Sequence, residues 1–382
     1  MPYHHIDVEC QQVSKKPGDP CGDVFLCKRT IYHSTLICAD GIGSGVKAHI
    51  ASQMNTARLS QLLSSGMSLR DAFFSVVETM GQWRDGTKPF TAFTVARVLN
   101  DGSTTILSYE MPAPFFLGPQ EAHVLPAHPL VIETGVAHEY RCHLDPGTGL
   151  LLMSDGVVQS GMGYAYPLGW GLQGVEEFLQ GWVGRGRPLR LVVRDILRQA
   201  QDHDQGTNGD DQTVVVAHCR EGGVVNMMTG PAKDRAEDMD RVNAFLDLEG
   251  LKVVCGASTA DVVARCAQEE LEVEQKPMSF STPPRYFIKG IDLVTEGAVT
   301  LNQVYNILGE DLERETDQSA AADLALMLKG ADRINFTVGC AQNPANKDLV
   351  YRKQGILARD KIIPLMAAKL EQMGKLVSVQ YI

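Results

Sequence analysis

The chain has 382 residues, 44% hydrophobic and 21% charged, which is the profile of a globular protein long enough for two domains. A formal net charge of −11 argues against a sequence-independent grip on nucleic acid, which needs clustered Lys and Arg on the phosphates. No apolar run reaches the roughly eighteen residues of a membrane-spanning helix, and residues 1–16 lack the basic-then-apolar pattern of a secretory signal. A cytoplasmic protein without a membrane partner is expected.

In chain order, residues 24–39 are rich in β-formers, with strands expected at 30–32 and 35–38. The loop Asp40-Gly41-Ile42-Gly43-Ser44-Gly45 follows. Helical spacing then covers 46–63 and 69–83, with Ser68 as a plausible N-cap for the second helix. Residues 93–99 and 103–109 flank Asn100-Asp101-Gly102 and read as a β-hairpin, since that turn tolerates positive φ. Further strands are expected at 122–125, 131–132, 150–153 and 213–218, and helices at 174–180 and 189–201. Hairpin-linked strands with a few long helices point to an α+β layered sandwich over residues 1–222.

Composition changes near Arg220-Glu221-Gly222-Gly223. Beyond it, helix and strand alternate: a charged helix at 234–246, a strand at 251–255 and a helix at 259–270. A Pro-rich connection at 277–284, a strand at 286–291, a helix starting near Thr300, a helix into a strand at 320–338, and a closing helix and strand at 362–382 complete the pattern. This favours a smaller α/β domain over 232–382 with a mostly parallel sheet. Nine cysteines, none in a CxxC pair and several inside apolar stretches, read as reduced thiols. Cys21 and Cys27 match no common zinc spacing.

Four short motifs in the first domain place an Asp at or just beyond a strand end. They are Gly22-Asp23, Ala39-Asp40-Gly41, Ser154-Asp155-Gly156 and Asp210-Asp211-Gln212-Thr213. Taken singly, each is as well explained as a turn. Together, carboxylates converging on one sheet edge would repel one another unless a cation intervenes. Oxygen ligands without His or Cys select Mg²⁺ or Mn²⁺ over Zn²⁺. A Gly after Asp lets a backbone carbonyl come close to such an ion. Two such ions can activate a water and clamp a phosphoryl oxygen.

The ordered set, GD, ADGIGSGVKA, LMSDGV and DDQTVVV, resembles the SpoIIE/RsbU branch of the PP2C-like (PPM) serine/threonine phosphatases over about residues 10–220. The resemblance implies an αββα sandwich and metal-dependent hydrolysis of phosphoserine or phosphothreonine in bacterial signalling. It implies Asp40 and Asp155 as the catalytic carboxylates. It implies two Mn²⁺ or Mg²⁺ ions held by Asp23, Asp40, the Gly41 carbonyl, Asp155, and Asp210 or Asp211. The nucleophile would be a metal-activated water, and no covalent phosphoenzyme is expected. The helices over 46–83 would form a regulatory switch behind the metal loop. A phosphorylated protein is the expected partner, and a homodimer is a further expectation.

The chain departs from the family in two places. Where members carry a Gly-His motif before a Pro-rich turn, it reads Tyr109-Glu110-Met111-Pro112-Ala113-Pro114. No phosphate-clamping arginine stands near the N-terminus, since Lys28 and Arg29 lie in a strand-like run. His49, in the first switch helix, is a general-acid candidate, but a surface or satisfied core histidine explains it as well. Ser44 has no base placed near it.

In the second domain, Val253 to Ala260 reads as strand, small-residue loop and helix start, an arrangement that offers backbone N–H groups to an anion. Val294-Thr295-Glu296-Gly297 and the stretch 338–343 have similar strand-end character, and such loops can meet at a crevice. Small residues permitting tight helix–sheet packing account for them equally well. A regulatory or ligand-binding role is the expectation. Two other functions stay open: a catalytically weak binding module on a phosphatase scaffold, and a phosphatase of small phosphorylated metabolites.

Overall fold

The computed structural model describes residues 3–81, 90–132, 135–206, 209–273, 286–310, 319–341 and 355–382. The expected end of the second helix at Trp83, the Pro-rich connection 277–284, and Gln342 and Asn343 lie outside them. The chain divides into two compact units, His4–Glu221 and Gly222–Ile382 with Met1–Tyr3.

The first unit contains two antiparallel sheets. One has the order β2 (Val24–Arg29), β3 (His33–Gly41), β4 (Thr91–Leu99), β5 (Ser103–Tyr109), β9 (Gly135–His143), β8 (His128–Ile132). The other has the order β1 (His4–Val13), β11 (Gln212–Glu221), β10 (Gly149–Met153), β6 (Phe115–Leu117), β7 (Ala122–Val124).

Period-two alternation assigns each strand's side chains to two layers. Leu36, Ala96, Ile106, Leu150, Leu152, Val215 and Ala217 pack between the sheets. Their neighbours Ile37, Val95 and Leu107 face outward, onto α1 (Val46–Ser64) and α2 (Leu69–Gly81). On the other outer face, Leu151, Met153, Val214 and Val216 pack with α4 (Gly171–Val183) and α5 (Val192–His203). The short α3 (Asp155–Val158) lies between β10 and α4 in sequence. The result is the expected helix–sheet–sheet–helix sandwich.

The hairpin at 100–102 joins β4 to β5, with Gly102 at φ 89°. Three local expectations need correction. Thr30 to Tyr32 is not a strand but the turn between β2 and β3: the Thr30 hydroxyl accepts from the amides of Tyr32 and His33, a side-chain turn that outweighs β propensity. β1 was not expected, because an edge strand of sequence HHIDVECQQV carries little apolar alternation. β9 was likewise missed: its sequence GVAHEYRCH is interrupted by charges.

The second unit's sheet has the order β14 (Glu272–Val273), β15 (Tyr286–Phe287), β16 (Leu293–Thr295), β13 (Leu251–Cys255), β12 (Val224–Thr229), β17 (Arg333–Val338), β18 (Leu376–Tyr381). From β16 to β18 every pairing is parallel, and the two edge pairings are antiparallel. In chain order the five parallel strands read 3-2-1-4-5, a doubly wound arrangement. α8 (Ala298–Ile307), α9 (Ala320–Gly330) and α10 (Arg359–Gln372) cover one face. α6 (Asp238–Leu246) and α7 (Ala257–Ala267) cover the other. The interval 223–231, expected as the seam between domains, holds β12, the strand at the centre of this parallel set. Among the described residues no helix is long and apolar enough to cross a membrane, and all nine cysteines are free thiols.

Candidate active site

Each sheet of the first unit delivers two of the four motifs: Asp23 and Asp40 come from one, and Asp155, Asp210 and Asp211 from the other. Antiparallel pairing of β2 and β3 sets Val24 opposite Ala39, so Asp23 and Asp40 are neighbours at the same end of one sheet. In the other sheet Met153 pairs with Val214, and the Ser154 amide donates to the Thr213 carbonyl at 3.0 Å. That brings Asp155 alongside Asp210 and Asp211. Thr213 joins the two sheets: its hydroxyl donates to Asp23 Oδ2 at 2.6 Å, and Gln12 Nε2 donates to the Thr213 hydroxyl at 3.0 Å and to the Asp23 carbonyl at 3.1 Å. The Thr213 amide in turn donates to the Ser154 hydroxyl at 2.9 Å.

Three motif glycines are explained by how closely these segments approach. A Cβ on Gly156 would stand 2.1 Å from the Asp211 carbonyl oxygen. A Cβ on Gly22 would stand 2.8 Å from Asp211 Oδ2, and one on Gly41 only 2.3 Å from the Ala48 carbonyl oxygen in α1. Such distances are sterically excluded, so the glycines are what lets the SDG turn, the GD loop and α1 close on the aspartates. Beyond Gly41, Gly43 and Gly45 turn the chain into α1 with φ 97° and 75°, and Ser44 is exposed.

Asp211 is 4% exposed and gives both carboxylate oxygens to backbone amides, Lys15 at 2.8 Å and Gly22 at 3.0 Å. It holds the 15–22 segment in place. Asp210 is partly exposed, accepts from the Asp211 amide at 2.9 Å and has Lys15 Nζ at 3.8 Å. Asp155 accepts from Gln159 Nε2 at 2.8 Å. His49 reaches from α1 to the Cys21 carbonyl at 2.7 Å. Because a carbonyl only accepts, Nδ1 carries the proton, and the ring ties α1 to the loop that bears Asp23. Nothing in the sequence marks Gln12 or Lys15, which lie outside every motif, and Thr213 is visible only as the last residue of one.

Burial and mutual repulsion dominate the electrostatics. Burial, with the charges of Asp23 and Asp155, pushes the Asp40 carboxyl up to about 10. Asp23 is pushed up to about 7 by burial, against the hydrogen bonds of Thr213 and Ser154 and with the charge of Asp211 adding to the rise. Asp210 is raised by burial, opposed by the Asp211 amide and Lys15. By themselves these carboxylates cannot all ionise at neutral pH: a proton or a cation must be shared among them.

Among the described residues no group of three or more His, Cys, Asp or Glu side chains is drawn up around a metal position. The donor chemistry nevertheless fits a hard divalent cation. Asp23 Oδ1 is buried without a hydrogen-bond partner, and the cluster carries a charge deficit that such an ion would meet.

Residues 33–220 match the family model described as Stage II sporulation protein E (SpoIIE). No curated protein matches the chain. Among solved structures, the PP2C phosphatase domain of SpoIIE from Bacillus subtilis, with a fragment of its regulatory domain, is 18% identical with a TM-score of 0.49. The match covers 58% of this chain and 65% of that one, so the chain spans just under two thirds of this neighbour. The RsbU and RsbW domains of a Mycobacterium tuberculosis protein are 17% identical with a TM-score of 0.48, over 69% and 73% of the two chains. RsbX in complex with magnesium is 17% identical with a TM-score of 0.41, over 56% and 96%.

Proposed function

We propose that the SpoIIE domain formed by residues 33–220 works, with the flanking strand β1 and the GD loop, as a metal-dependent protein serine/threonine phosphatase in bacterial signalling. The observation that supports this reading is the convergence of Asp23, Asp40, Asp155 and Asp210 from two sheets onto one crowded carboxylate cluster, the last three within the segment that matches the family model and Asp23 in the loop before it.

Asp40 with the Gly41 carbonyl, Asp23, Asp155 and Asp210 are the residues that would hold two Mn²⁺ or Mg²⁺ ions. When bound, such ions supply charge compensation, polarise the phosphoryl group and acidify water. The chain's own contribution is to fix the donors. Thr213 and Ser154 hold the Asp23 end, Asp211 clamps residues 15–22, and Gly156 lets the SDG turn dock on the Asp210-Asp211 backbone. In this reading Asp211 serves as scaffold and Asp210 as ligand, which the two amide hydrogen bonds to Asp211 support. Lys15, beside Asp210, is the cation nearest the cluster among the ion pairs described and is suited to meet an incoming phosphate. Nine free thiols accord with a cytoplasmic setting.

The test compares release of phosphate from a phosphoserine peptide and from a sugar phosphate, with Mn²⁺ and with EDTA. Faster Mn²⁺-dependent turnover of the peptide is expected. Preferential turnover of the sugar phosphate would instead indicate a metabolite phosphatase, and no turnover of either would leave a binding module.

A further inference from the structure

The second unit brings four strand-end loops together at the carboxyl edge of its parallel sheet, where doubly wound folds bind ligands. The loop after β12 is pinned to α7, since the Gly230 amide donates to the Thr259 hydroxyl at 2.7 Å. The loop after β13 lies on the loop after β16: the Gly256 amide donates to the Thr295 carbonyl at 2.8 Å, and a Cβ on Gly297 would stand 3.4 Å from Gly256 Cα. The loop after β17 closes against the loop after β12, because a Cβ on Gly339 would stand 2.0 Å from the Pro231 carbonyl oxygen.

Three side chains at this edge are poorly matched to their surroundings. Arg359, the first residue of α10, lays its guanidinium over Gly230, where any Cβ would collide with it, and donates to the Ala341 carbonyl at 3.0 Å. Burial pulls its pKa down, with the charge of the adjacent Asp360 among those opposing the shift. Glu296, at the end of β16, has a carboxylate oxygen, Oε2, that is buried without a hydrogen-bond partner. Thr300, in the first turn of α8, is 1% exposed and its hydroxyl is also unpartnered. Both Arg359 and Glu296 act electrostatically on the buried Cys255 thiol, one from each side of its charge balance. A half-buried cation and an orphaned acceptor cost stability unless something pairs with them.

We propose that this carboxyl edge is a binding site for a small hydroxyl-bearing phosphate ester, with its phosphate on Arg359 and the first turns of α7 and α8, and a hydroxyl donated to Glu296. An anion on a guanidinium and helix N-termini uses the charge-assisted hydrogen bonds best suited to phosphate. A carboxylate beside it selects a ligand that also carries donors. The site lies wholly within the second unit and does not depend on the phosphatase reading.

The test is calorimetric titration of the full chain in EDTA with ribose 5-phosphate and with methyl phosphate, which lacks hydroxyls. Saturable binding of ribose 5-phosphate is expected, tighter than methyl phosphate. Arg359→Gln should weaken both by about tenfold or more. Glu296→Gln, a nearly isosteric change, should weaken ribose 5-phosphate alone, and Asp155→Asn should leave both titrations unchanged. Absence of saturable binding to the wild-type chain overturns the proposal. So does binding that survives both Arg359→Gln and Glu296→Gln, or that disappears in Asp155→Asn.

Discussion

Asp210 and Asp211 are adjacent, yet the fold uses them differently. Asp211 is buried and satisfied by two backbone amides, whereas Asp210 stands beside Lys15 and feels Asp155. Asp211→Asn should therefore lower stability by about 1–3 kcal/mol, because a buried amide is left without its charged acceptor. Asp210→Asn should stay within about 0.5 kcal/mol of wild type but lose metal-dependent turnover. Urea unfolding and phosphate release on the same two variants separate these outcomes. The pH response is signed as well. Asp23 sits at about 7 in the folded chain against an ordinary 3.8, so the native state holds a proton that the unfolded state has already released. Without metal, stability should fall as pH rises from about 4 to 7, and Asp40, at about 10, should extend the fall into alkaline solution. Thermal melts across pH in EDTA check this, and saturating Mn²⁺ should flatten the profile. The four aspartate motifs are legible in the sequence because Gly-Asp and Asp-Gly recur at strand ends. The sequence could not separate Asp210 from Asp211, because the distinction lies in amides contributed about 190 residues away.

At the scale of elements, close approach at glycine does most to assemble the site. Gly156→Ala would press a methyl group into the Asp211 carbonyl. A destabilisation of about 1–3 kcal/mol is expected, with turnover lost beyond what stability explains. A measured loss confined to stability would contradict the docking role of this turn. Strands that are near-continuous runs of buried β-formers, such as β3, β4, β10 and β11, could be read directly, since both of their faces are covered in the sandwich. α1 shows where periodicity misleads. Its apolar spacing marks a helix, but Val46, Ile50 and Met54 are more than half exposed, while Ser52, Asn55 and Thr56 are buried against the sheet. Helical spacing reveals that a stripe exists, not which stripe the neighbouring Gly41 will admit. β12 escaped because VVNMMT is a six-residue run between Gly222-Gly223 and Gly230-Pro231, so that turn signals on both sides make it read as part of the connection.

For the molecule as a whole, each unit has its own apolar cores, so the two can respond separately to a ligand. Scanning calorimetry should show Mn²⁺ raising the transition of the first unit and leaving the second where it was. The parallel unit's class could be read from the alternation of helix and strand, but its central strand, and with it the 3-2-1-4-5 order, depended on contacts that local pattern does not encode. The proposed activity stands or falls with the aspartates that the two antiparallel sheets bring together as its catalytic centre. The direct measurement is Mn²⁺-dependent release of phosphate from a phosphoserine peptide by the wild-type chain, Asp40→Asn and Asp155→Asn, each confirmed to be folded by circular dichroism. Turnover is expected to fall at least about a hundredfold in both variants. Undiminished turnover in either folded variant would contradict it.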